Sequence, residues 1–424
     1  MNINNSLFKF IKASPSAYHT VGSLKTELLE NGFTEISDGC FPKLSDGGKY
    51  FTTRNGTSLI AFVYRGDANG FTICSSHSDS PSFRLKLTPE QSGAYTRLQT
   101  EKYGGMIYYS WLDRPLSLAG RVIVKTERGI EARLLNLDCD VAVIPSVAIH
   151  MNRAVNDGYK FNPAQDLLPL VGSQGSLGAV MANISKTLGV SEKDIISHDL
   201  FLYVRDEGRV FGINDEFILS PRLDDLECVF ASLKAFLSAR PSKSIPVLAV
   251  FDNEEVGSET KQGAASTFLY DVLLSVSGEE NYGKMLRNSF MVSADNAHAK
   301  HPNHPELADP SNAPLLNGGI VVKWNANQRY ATDGISDAFF RTVCERAGAK
   351  TQSYYNRADM LGGSTLGSIS NTKVSIPTVD IGLAQLAMHS AVETAGASDL
   401  SEMIKGLTEF YSTSLVRTEN GFEF

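Results

Sequence analysis

Runs of Ile, Val and Phe alternate with stretches of helical periodicity at both ends of this chain, but not in its middle. Ser58 to Tyr64 and Gly70 to Cys74 read as strands, after a helical stretch over 5–32 that is interrupted near Ser14-Pro15-Ser16. After Pro221 the alternation resumes. Helices are expected at Leu226 to Leu237, Thr260 to Leu274, Ile335 to Ala347 and Asp399 to Tyr411, and strands at Ile245 to Phe251, Ser289 to Ser293, Gly319 to Lys323 and Val374 to Ile381. Such alternation builds a mostly parallel α/β sheet. Between about Leu85 and Pro221 the texture is different: short β-like runs such as Arg121 to Lys125 and Val141 to Ile144, punctuated by Gly and Pro. The simplest architecture is one discontinuous α/β domain, residues 1–84 and 222–424, with a β-rich domain over 85–221 inserted in it. The length of 424 residues favours two domains over one core.

Composition narrows the function classes. Hydrophobic residues are 42% and charged residues 20%, as in water-soluble globular proteins. A diffuse net charge of −8 argues against nucleic acid or an anionic membrane as the main partner. The five cysteines Cys40, Cys74, Cys139, Cys228 and Cys344 are scattered and never in C-x-x-C pairs, which fits a reducing cytoplasm better than a disulfide framework. The first residues lack the apolar core of a signal peptide, and Ile245 to Phe251 is too short to span a bilayer. A cytoplasmic protein is expected. The glycines of 171–178 do not have the spacing of a dinucleotide fingerprint.

Ligands of an open α/β sheet sit outside the carboxyl ends of its strands. Five strand ends or adjoining loops of this chain carry His, Asp or Glu: His77-Ser78-Asp79, Asp224-Asp225, Asp252-Asn253-Glu254-Glu255, Asp295 with His298, and His389. A single Asp there is most often a cap or turn residue. Glu254-Glu255 is more telling, because two carboxylates behind a buried apolar strand repel each other unless a cation joins them. His298, His301 and His304 have H-x-x-H spacing, but Pro302 and Pro305 disfavour a helix that would aim all three at one metal. His19 and His198 are read as structural.

The motifs His77-Ser78-Asp79-Ser80-Pro81, Ser220-Pro221-Arg222-Leu223-Asp224, Phe251-Asp252-Asn253-Glu254-Glu255-Val256-Gly257-Ser258, Ser293-Ala294-Asp295 with Ala297-His298, and Gln385-Leu386-Ala387-Met388-His389-Ser390 resemble the motif set of the M18 metallopeptidases, the aspartyl aminopeptidase family. Ser14-Pro15-Ser16 with Tyr18-His19, Tyr103-Gly104-Gly105, Trp111-Leu112-Asp113-Arg114 and Gln328-Arg329-Tyr330-Ala331 are similar to further signatures of that family, so the likeness runs from about 8 to 415. The resemblance implies a zinc-exopeptidase (phosphorylase/hydrolase-like) α/β catalytic domain with an inserted β-rich dimerisation domain. It implies two zinc ions per subunit, for which Co²⁺ or Mn²⁺ can substitute. His77, Asp224, Glu255, Asp295 and His389 would be the ligands, with Asp224 bridging. Asp79 would hold the other nitrogen of His77, and Glu254 would be the general base. Lys323, with His301, would contact the substrate, giving a preference for peptides that begin with Asp or Glu. His150 would act in the active site of a neighbouring subunit, within dimers assembled into a tetrahedral homododecamer.

Asp225 departs from the Asn expected after the bridging Asp, and is tolerated if its carboxylate points away. The alternatives are an aminopeptidase with apolar or neutral preference, a dizinc deacylase, or a silent binding protein on a peptidase scaffold. A silent scaffold usually loses a ligand or the base, and here every one is present.

Overall fold

Nine strands of the computed structural model form one sheet, ordered Thr34–Glu35, Lys49–Arg54, Ser58–Val63, Ser244–Phe251, Gly70–His77, Phe290–Ala294, Thr378–Gly382, Ile320–Trp324 and Thr351–Tyr355. The structure describes residues 2–240 and 242–424. The four strands from Ser244–Phe251 to Thr378–Gly382 run parallel, and antiparallel pairings enter at Ser58–Val63 and Ile320–Trp324. Every residue of Gly70–His77 and Ser244–Phe251 is buried. That is why Ile245 to Phe251 reads as one continuous apolar run, while Gly70–His77 buries Thr72, Ser75, Ser76 and His77 as well. Their side chains alternate between two cores. Cys74, Leu248 and Val250 pack with the helices Leu223–Ser238 and Asp399–Tyr411. Phe71, Ile73, Val247 and Phe251 pack with Phe268–Ser277 on the other face.

The chain divides into two compact units. The first comprises Met1–Asp79, Gly208–Met388 and Glu393–Phe424, and holds the nine-stranded sheet. The second comprises Ser80–Glu207 and His389–Val392. These limits differ from 85–221 because Arg209–Phe211 and Phe217–Ser220 belong to a five-stranded sheet of the first unit, with Glu393–Gly396, Ala384–Leu386 and Ala297–His298. The second unit is built on a six-stranded antiparallel sheet over a core that includes Phe83, Trp111, Leu118, Val122, Leu200 and Leu202. Val141 to Ile144 contributes isolated bridges there rather than a strand.

Two elements depart from expectation. Residues 260–267 form turns, and the helix begins at Phe268. A side chain at Gly263 would meet the carbonyl of Ser258 at 2.1 Å, so this loop folds back on itself where a helix was expected. The strand expected from Val374 starts at Thr378, because Pro377 has no N–H to donate to a ladder. Among the described residues, no helix is long and apolar enough to cross a membrane, and all five cysteines are free.

Candidate metal centre

Because the central strands run parallel, their carboxyl ends lie together, and the loops that leave those ends meet there. His77 is the last residue of Gly70–His77. Glu254 and Glu255 open a one-turn helix after Ser244–Phe251, reached through Asn253 in the left-handed conformation (φ 62°). Asp295 directly succeeds Phe290–Ala294. Asp224 and Asp225 form a non-helical first turn ahead of the regular part of the helix Leu223–Ser238, behind Arg222 at φ 56°. The peptide between Asp224 and Asp225 is cis.

His77, Asp224, Asp225 and Asp295 are all buried, and each offers one ligand atom within 4.8 Å of the others. His77, Glu254 and Glu255 form a second such group. Nε2 of His77 faces Asp224 Oδ1 at 3.5 Å and Asp225 Oδ2 at 4.0 Å. Its Nδ1 lies 3.4 Å from Asp79 Oδ1 and 3.1 Å from the Asp79 carbonyl oxygen. A ring nitrogen held this way fixes the imidazole and turns the other nitrogen to the ligand. The same Asp79 carboxylate accepts from the backbone N–H groups of Glu254 and Glu255, each at 3.2 Å. Asp79 thus ties the His77 loop to the Glu254-Glu255 loop.

Asp225 does not point away. Its Oδ2 accepts from the His77 backbone N–H at 3.0 Å and its Oδ1, wholly buried, has no hydrogen-bond partner. Sequence reasoning missed this residue's place in the cluster. It also missed Glu393, buried, whose Oε2 accepts from the Asp224 N–H at 3.0 Å. The signal for Glu393 was slight: one charged residue heading the short strand Glu393–Gly396, before Thr, Ala and Gly.

Electrostatics here are dominated by burial and like charge. Burial, then the neighbouring carboxylates, push Asp225 well above the usual carboxylate range and Asp295 upward, despite His77 beside both. Glu254 is pushed up to about 8 by burial, against the pull of His77, with Asp295, Asp79 and Asp224 adding to the rise. Burial lowers the His77 imidazole, yet Asp225, Asp224 and Asp79 raise it further, to well above its ordinary value. Buried carboxylates this close cannot all ionise unless a cation sits among them. Oxygen donors with one imidazole form a donor set that suits zinc.

Lys323 lies in the strand Ile320–Trp324 and is 2% exposed, so it is not a solvated strand-end lysine. Its Nζ is 3.6 Å from Asp295 Oδ2 and 5.5 Å from the centre of the Tyr330 ring. Burial alone would lower the ammonium; Asp295 and its neighbours outweigh it and hold the charge.

The remaining sequence-selected histidines differ in surroundings. His301 is partly buried, its Nδ1 accepting from the Asn303 N–H, while His304 pairs with Glu306. Among the described residues these two and His298 form no group able to hold a metal. In the second unit, His389 Nδ1 lies 2.8 Å from the Gly105 carbonyl oxygen. His150 is exposed there, in a turn with Val147, Ile149 and Met151 also exposed.

Comparison with known proteins shows the family and the fold. The family described as aminopeptidase I zinc metalloprotease (M18) matches residues 10–411. The chain is similar to a probable M18 family aminopeptidase 2 of Clostridium acetobutylicum, 46% identical over 422 residues, covering 96% of this chain and 98% of that one. Among solved structures it resembles one described as the Ape4 and Nbr1 complex, with TM-score 0.92, 34% identity and coverage of 96% and 85%. It also resembles the mApe1 dodecamer of S. cerevisiae, with TM-score 0.83, 27% identity and coverage of 97% and 96%.

Proposed function

This chain belongs to the aminopeptidase I zinc metalloprotease (M18) family and is a metallo-aminopeptidase, and from that premise we propose that it uses two zinc ions to remove Asp or Glu from peptide N-termini. The observation that carries the two-metal reading is the buried cluster of three carboxylates and one imidazole beside Glu254 and Glu255. His77, Asp224 and Asp295 would hold one zinc, and Asp224, Glu255 and His389 the other. Zinc supplies Lewis acidity there, making water nucleophilic near neutral pH and polarising the scissile carbonyl. The Glu254 carboxylate takes a proton from the attacking water and delivers it to the leaving amine nitrogen. Asp79 positions both His77 and the Glu254-Glu255 turn. His150 donates to the oxyanion in the site of a neighbouring subunit. A description as a dodecamer for the S. cerevisiae relative supports assembly of this chain into homodimers and a tetrahedral dodecamer, as do the exposed apolar neighbours of His150. Free cysteines support a cytoplasmic location.

The reading is tested by elemental analysis together with hydrolysis of aminoacyl-nitroanilides. Wild-type protein is expected to carry about two zinc ions per chain and to lose turnover to a chelator. Asp224→Ala is expected to lose zinc. Full zinc content in Asp224→Ala would instead make Asp225 the bridge.

The acidic preference rests on Lys323. Its ammonium is buried and charged, and although its strand runs antiparallel to Thr378–Gly382, the long side chain reaches Asp295, one of the proposed ligands. Lys323→Ala is expected to lower kcat/KM for an Asp substrate much more than for a Leu substrate. Equal losses on the two would remove the basis for acidic specificity, and His301→Ala provides the parallel test of the second proposed contact.

A further inference from the structure

The N-terminal Ser14-Pro15-Ser16-Ala17-Tyr18-His19-Thr20 segment has no part in the proposed chemistry. Part of it is explained by helix capping. Pro15 ends the run of Ile3–Ala13, and Ser16 precedes Ala17–Glu30, its carbonyl accepting from the His19 and Thr20 N–H groups at 2.9 Å each. Its hydroxyl lies 2.8 Å from His19 Nδ1. Burial, then Arg222, push the His19 pKa down to about 4, so a neutral ring sits beside that guanidinium.

Capping does not explain where the segment reaches. Thr20, fully buried, shares its hydroxyl between the Ser16 carbonyl at 3.2 Å and the Ser78 carbonyl at 3.4 Å. Ser78 stands between His77 and Asp79, and its own hydroxyl bonds the carbonyls of Thr57 and Phe251 at 2.7 and 3.1 Å. On the other side, Arg222 Nη2 donates to the carbonyl of Ile11 at 3.1 Å. Arg222 holds the left-handed conformation, which residues other than Gly, Asn and Asp seldom adopt. Its side-chain anchor keeps that turn, and the turn delivers Asp224, whose N–H reaches Glu393.

We propose that the N-terminal helix pair is a brace for the metal centre, with Thr20 and Arg222 as positioning residues for the His77 and Asp224 loops respectively. The inference rests on the metal-centre reading above. Groups that orient metal ligands without touching the metal typically change affinity by about 10- to 100-fold. A bond between the brace and a ligand loop therefore controls how long zinc stays.

The test measures zinc release from the whole purified protein into excess chelator, with a zinc-sensitive dye. Arg222→Ala and Thr20→Val are each expected to release zinc about 10-fold faster than wild type. Arg222→Lys, whose ammonium can still donate to Ile11, should recover part of the difference. Glu27→Gln is the control: it breaks the ion pair between the second helix of the brace and Lys234, which lies in the carboxyl-terminal half of Leu223–Ser238, well beyond the turn that carries Asp224. It should release zinc at the wild-type rate. Wild-type release from Thr20→Val and Arg222→Ala overturns the brace, as does equally fast release from Glu27→Gln. Should Arg222→Ala fail to fold, Thr20→Val, which keeps side-chain volume, decides alone. Wild-type protein that binds no zinc would sink the metal-centre reading itself, an outcome distinct from all of these.

Discussion

Glu254→Gln is expected to fold, retain its zinc and lose at least 10²- to 10⁴-fold in kcat. The amide keeps the size of the carboxylate but cannot accept a proton from the attacking water. Asp79 anchors this turn through the backbone N–H groups of Glu254 and Glu255, which the substitution leaves in place. The loss should fall on kcat, because the group acts on the transition state and not on substrate binding. Wild-type kcat would remove Glu254 as the base. Loss of zinc along with activity would make it a ligand instead.

The second large effect is at His150. His150→Phe is expected to lose about 10²- to 10³-fold in kcat, the usual value of one oxyanion donor. It should fold normally, since the side chain is exposed. Its position in trans can be read by complementation. Co-expressed with Glu254→Gln under a different tag and purified as heteromers, the pair should regain part of the activity, because one site then combines an intact Glu254 with an intact His150 from the other chain. No recovery in verified heteromers, or a clean monomer in sedimentation at micromolar concentration, would rule this out.

Strand and helix were legible where a segment is buried on both faces or amphipathic. Ile245 to Phe251 and Asp399 to Tyr411 are found at or within one residue of the expected bounds. Signals failed where backbone packing overrode composition, as at Gly263, and in the insert, where the helix Ala179–Leu188 was passed over although Val180, Met181, Ile184 and Leu188 meet the core at helical spacing, because the glycine-rich run 171–178 before it reads as loop. Candidate metal ligands were legible because strand ends in a parallel sheet converge, which makes position informative without contacts. Asp225 and Glu393 were not, because their part is to accept from backbone N–H groups of the ligand loops, and no spacing rule announces such a bond.

The order of the nine-stranded sheet bears on how the chain is made. Ser58–Val63 and Gly70–His77 are joined by a short connection, yet Ser244–Phe251 lies between them. They leave the ribosome together, and their late neighbour is synthesised about 170 residues afterwards, on the order of 10–30 s at usual elongation rates. Until then a direct hairpin of the two is a competing partner choice. The final order requires that such a pairing be avoided or undone before Ser244–Phe251 takes its place between them.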